Sequence, residues 1–73
     1  MSLEETLDEL TRMGFWYRVL RVPAGRWQVI LHATPESGPI TWGKNYESGA
    51  TLEEAASRAF GAVMESRHMG SKP

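Results

Sequence analysis

Two runs rich in aromatic and β-branched residues, FWYRVLRV at 15–22 and RWQVILHA at 26–33, are separated only by Pro23-Ala24-Gly25. A three-residue loop containing glycine between two such runs predicts an antiparallel hairpin. If Val22 opposes Arg26 across the loop, the side chains sort into two faces. One face holds Phe15, Tyr17, Val19 and Arg21 beside Trp27, Val29, Leu31 and Ala33, and is the expected core. The other holds Trp16, Arg18, Leu20 and Val22 beside Arg26, Gln28, Ile30 and His32, and is mixed instead of cleanly polar. An isolated hairpin is marginal in water, so the flanking sequence must cover the apolar face.

The flanks carry helical signals. Ser2 and Glu5 form an S-x-x-E capping box, and Leu3, Leu7, Leu10 and Met13 follow at helical spacing. Gly14 stands where a left-handed helix cap is expected. After a loop marked by Pro35, Ser37, Gly38 and Pro39, the alternation of Ile40, Trp42 and Tyr46 predicts a third strand; Lys44 interrupts its apolar phase, by a bulge or by an early end near Gly43. A second capping box, Thr51 and Glu54, opens a helix whose buried stripe is Leu52, Ala55, Ala56, Ala59, Phe60 and Val63. Gly61 costs this helix about 1 kcal/mol relative to alanine, which implies a packing contact or a weak final turn. The expected fold is therefore α+β, a three-stranded antiparallel sheet with N-terminal and C-terminal helices in the order α-β-β-β-α. It forms one domain over residues 1–69, followed by a flexible tail at 70–73.

At 73 residues such a domain lies near the lower size limit for independent stability, and the chain has no cysteine for a disulfide or a thiolate zinc site. Packing or self-association must stabilise it. The lack of cysteine fits a cytoplasmic location, and no purely apolar stretch exceeds the three residues of Val29-Ile30-Leu31, which leaves neither a membrane span nor a signal-peptide core. The net charge of −1 is unevenly spread. Glu4, Glu5, Asp8 and Glu9 crowd the first helix, whereas residues 12–46 hold five cations (Arg12, Arg18, Arg21, Arg26 and Lys44) against Glu36 alone, a net of +4. That field favours an anionic partner, either nucleic acid, a nucleotide or an acidic protein surface.

Residues suited to catalysis are sparse. The two histidines, His32 and His68, lie far apart without metal-ligand spacing, and no nucleophile elbow, phosphate-binding loop or dinucleotide fingerprint occurs. Glu53 and Glu54 fit first-turn capping and dipole roles. The expectation is a non-enzymatic chain without cofactor or metal. His32 on the open face is best read as a cross-strand neighbour of Trp16. Trp27, with Arg21 against its ring, and Trp42 are expected in the core. Trp16 is expected outside it, next to Leu20, Val22 and Ile30 and rimmed by Arg18, Arg26 and Gln28, a composition typical of interface hot spots.

The order α-β-β-β-α, with the helix start Gly49-Ala50-Thr51-Leu52-Glu53-Glu54-Ala55-Ala56, resembles double-stranded-RNA-binding-domain topology and small phage "ABA sandwich" proteins. The first family holds phosphates with lysines where this chain has Leu52, Glu53 and Glu54, so only its topology carries over. Residues 17–60 also resemble AP2-type DNA-binding domains and the arm-binding domains of phage integrases, on Tyr17-Arg18, Arg21, Gly25-Arg26-Trp27, Trp42-Gly43 and Glu53-Glu54-Ala55-Ala56. That resemblance implies a sheet that enters the DNA major groove.

The leading functional expectation is a phage- or mobile-element-type module that binds and inhibits a host protein in an anti-defence role. Its contact surface would be the sheet face of Trp16, Arg18, Leu20, Arg26, Gln28, Ile30 and His32, with homodimerisation through the same face included. The alternatives are DNA binding through Arg18, Arg21, Arg26 and Lys44, and capture of an anionic nucleotide between protomers.

Overall fold

The structure is a computed structural model that describes residues 1–70, with side chains through Arg67. Its elements are α1 (Leu3–Arg12), β1 (Trp16–Val22), β2 (Arg26–His32), β3 (Tyr46–Gly49) and α2 (Leu52–Gly70), joined between β1 and β2 by a single tight turn at Pro23–Gly25. The expected tail lies outside the described residues apart from the backbone of Gly70.

The helix ends form where the local chemistry demands. Ser2 Oγ accepts from the Glu5 amide at 3.2 Å while the Glu5 carboxylate accepts from the Ser2 amide at 2.9 Å, completing the capping box. Donation to the carboxylate from the Ser2 backbone amide, and then from the Ser2 hydroxyl, holds the Glu5 carboxyl below its ordinary value. A carboxyl lowered on folding contributes stability above its unfolded pKa, and the contribution is lost as pH falls through the folded value. The first turn of α1 is therefore expected to fray on acidification below the usual carboxylate range, as a loss of amide protection at Glu5 and Thr6. In a Glu5→Gln variant that loss should no longer track pH.

At its other end α1 closes in a Schellman motif. The Gly14 amide donates to Thr11 O at 3.0 Å and the Phe15 amide to Leu10 O at 3.1 Å, with Gly14 at φ +95° and the Leu10–Phe15 apolar contact buried. Thr34 Oγ1 donates to Gly14 O, which ties the loop after β2 to this corner. In α2, Thr51 Oγ accepts from the Glu54 amide at 3.1 Å, but the Glu54 carboxylate accepts from the Ala50 amide at 2.9 Å instead of closing the box on Thr51.

β1 and β2 pair antiparallel in one unbroken register, from Trp16 opposite His32 to Val22 opposite Arg26. β3 pairs with the other side of β2, giving the order β1-β2-β3. Both helices lie on one face. Leu10 of α1 and Ala55, Ala56, Ala59 and Val63 of α2 close over Phe15, Val29 and Leu31, all essentially inaccessible. The alanines let α2 approach β3 closely, and a Cβ at Gly49 would lie 2.7 Å from the Ala55 nitrogen. Gly61 is exposed with open space around it, so no packing contact accounts for it.

Two expectations about the sheet need correction. The third strand does not run through Ile40 and Trp42; it begins at Tyr46. Pro39 has no amide to donate, and Gly43 at φ +105° breaks the extended path, so Ile40 and Trp42 reach the core from a loop. Trp42 packs edge-on against Phe15, with ring centroids 6.0 Å apart. Nor is the helix-side face a uniform core. α2 covers β2 and β3, so Tyr17 on β1 stays 37% exposed, Arg21 is exposed over the Trp27 ring at 5.1 Å, and Ala33 lies past the end of β2 and is exposed.

Candidate functional site

The β1–β2 register decides what the uncovered face contains. Because side chains alternate along a strand, Trp16, Arg18, Leu20 and Val22 lie beside His32, Ile30, Gln28 and Arg26, opposite the face that the helices cover. All seven residues singled out from the sequence stand on this one surface. The β2–β3 register adds two that sequence reasoning missed. Ile30 faces Tyr46 and Gln28 faces Ser48, so the apolar strip runs from Leu20 and Ile30 to Tyr46 across the sheet. Pairing of Tyr46 with Ile30 puts it on the open side.

Exposure is greatest at one corner. Trp16 is 74% accessible, against 37% for Leu20 and 41% for Tyr46. Beside it is a shallow recess of about 230 Å³ lined by Thr11, Gly14, Phe15, Thr34 and Glu36, where the Schellman corner meets the loop after β2. The anchor is thus mounted on rigid backbone, since the residue before it, Phe15, is fixed by the Leu10 bond and by core packing. With only two side-chain torsions on a fixed backbone, a tryptophan loses little conformational freedom on binding.

The strand positions of this face carry charge of one sign, while Glu36 lines the recess beside Trp16. They hold Arg18 and Arg26 and no carboxylate, and among the described residues neither arginine forms an ion pair. The remaining two cations of the proposed DNA set are already engaged by neighbouring side chains. Arg21 lies over Trp27 on the helix side, and Lys44 stands 3.8 Å from Glu47 and 5.5 Å from the Tyr46 ring centroid. A second recess, of about 390 Å³, opens between Trp42, Lys44, Glu47 and the α2 residues Ala62, Glu65 and Ser66; its single cation is already paired to Glu47.

Among the described residues, no group of three or more His, Asp or Glu side chains converges, and no helix is long and apolar enough to cross a membrane. The side chain of His68 lies outside the described residues. No family model, curated protein or solved structure matches the chain.

Proposed function

We propose that this chain is a non-catalytic binding module that docks an acidic protein surface on the open face of its sheet. The observation that carries the reading is the Trp16 corner: a tryptophan 74% exposed, on the same sheet face as Leu20, Ile30 and Tyr46 and near Arg18 and Arg26, neither of which forms an ion pair among the described residues. Aromatic and arginine side chains dominate interface energetics when desolvated together, and scattered exposed apolar residues do not form such a strip. The two arginines supply orientation and a faster encounter with a partner of opposite charge. A module this small would act by masking its partner's surface. That mode suits the inhibitor role of a phage or mobile-element product acting on a host factor.

The test is a binding measurement with fold-checked variants. Trp16→Ala and Ile30→Asp are each expected to weaken partner binding by about thirtyfold or more, the scale of losing a hot spot worth about 2 kcal/mol. Glu53→Gln, on the exposed side of α2, should change nothing. Unchanged affinity in both face variants would remove the proposal. A duplex-DNA probe bound at low salt, with affinity falling steeply as salt rises, would replace it by nucleic-acid binding through Arg18 and Arg26.

A further inference from the structure

The two edges of the sheet are treated differently by the fold. On β3 the outward-facing carbonyl of Ser48 is occupied by Arg58, whose Nη1 donates to it at 2.8 Å, and the strand is only four residues long. On β1 nothing among the described residues takes up the free side. The strand has seven residues, no proline and no bulge in its register. Proteins normally blunt such an edge because it is a template for another strand.

Which groups of β1 face outward follows from its neighbour. The Leu31 amide donates to Asn45 O at 2.7 Å, and Leu31 O accepts from Asn45 Nδ2 at 3.1 Å, so both polar backbone groups of Leu31 point toward the β3 side. Hydrogen-bonded and non-hydrogen-bonded pairs alternate along an antiparallel ladder. The Tyr17–Leu31 pair is therefore non-hydrogen-bonded, and Tyr17, Val19 and Arg21 direct their amides and carbonyls out of the sheet.

We infer that β1 is a self-association edge, pairing antiparallel with β1 of a second copy about a two-fold axis at Val19 to build a continuous six-stranded sheet. Only residues with outward-facing backbone can pair, which restricts the register to shifts of two. Centred on Val19, three pairs each exchange two hydrogen bonds: Val19 with its own copy, and Tyr17 with Arg21 twice over. On the open face, Trp16 then opposes Val22 and Arg18 opposes Leu20. No arginine faces another. A shift of two in one direction sets Arg18 directly against Arg18. The opposite shift sets Tyr17 against Pro23, which has no amide to donate. Tyr17, 37% exposed on the half-bare helix side of β1, gains a lateral cross-strand neighbour, Arg21 of the second copy, in this pairing. The joined sheet leaves the open face of each copy free, so this association is independent of the partner-binding reading.

A single strand pairing is a small interface, so the dimer should be concentration-dependent. Sedimentation equilibrium of the full chain should give a mass rising from 8.2 kDa toward twice that value. Because Val19 pairs with itself, Val19→Lys and Val19→Glu are each expected to abolish association, and an equimolar mixture of the two to restore it. Tyr17→Arg, at an exposed position that tolerates a charge, should weaken association about tenfold by facing Arg21 of the second copy. Ile30→Asp, one strand away, should leave it unchanged. The inference is overturned if the wild-type chain stays at 8.2 kDa up to its solubility limit, or if Tyr17→Arg and the folded Val19 variants associate like wild type. It is equally overturned if Ile30→Asp abolishes the dimer, which would place association on the open face.

Discussion

Gly14→Val is expected to destabilise the domain by more than about 2 kcal/mol, because two independent penalties coincide there. The backbone at φ +95° is one that a β-branched residue adopts only under strain, and an added Cβ would lie 2.7 Å from the Ser37 nitrogen and 2.9 Å from the Glu36 Cβ. The nearest obstacle is backbone, so no rotamer change relieves it. To accommodate the side chain, the loop after β2 must retreat and surrender the Thr34 bond to Gly14 O, or the Schellman turn must open and release the Phe15 amide from Leu10 O. Either route disturbs the mounting of Trp16, two residues on. Chemical denaturation followed by far-ultraviolet circular dichroism measures the loss. A midpoint within error of wild type would show that the corner is not tightly closed.

Leu10→Ala should cost about 2 to 5 kcal/mol, the range for deleting a fully buried leucine whose cavity cannot collapse. Leu10 is fully inaccessible and is the α1 member of the buried apolar cluster that the sheet and α2 complete. A chain of 73 residues has a total stability of about 4 to 11 kcal/mol, so this one truncation removes a large share of it. Thermal unfolding should show a markedly lower midpoint or a chain already partly unfolded at room temperature. A shift as small as that of an exposed-site substitution would mean that α1 is dispensable to the core.

The hairpin and both helices were legible because several local signals agreed at each. Ser2 with Glu5, Gly14 after Met13, and the three-residue loop between two apolar runs each fix a boundary by its own chemistry, and the loop length fixes the register that sorts the faces. The presence of a third strand was legible, but its span was not. Ile40 and Trp42 alternate with polar residues as a strand would, yet they reach the core from a loop shaped by Pro39 and Gly43. The true strand, Tyr46-Glu47-Ser48-Gly49, has no β-branched residue, and it is placed by pairing with β2 and by α2 packing over it. Tyr46 and Ser48 joined the open face only through that pairing. The protection of the β3 edge by Arg58 spans ten positions in sequence, and no local pattern announces it. The reach of α2 was also invisible: its axis over β2 and β3 leaves Tyr17 half-bare, although alternation alone assigned it to the core.

The open face as the docking surface is tested most directly by a chemical-shift footprint of the isotope-labelled chain as an acidic protein partner is titrated in. The largest changes should fall on Trp16, Arg18, Leu20, Ile30 and Tyr46, with Glu53, Ser57 and Gly61 on the exposed side of α2 unmoved. Changes confined to α2, with the Trp16 indole signal unshifted at saturation, would contradict the account.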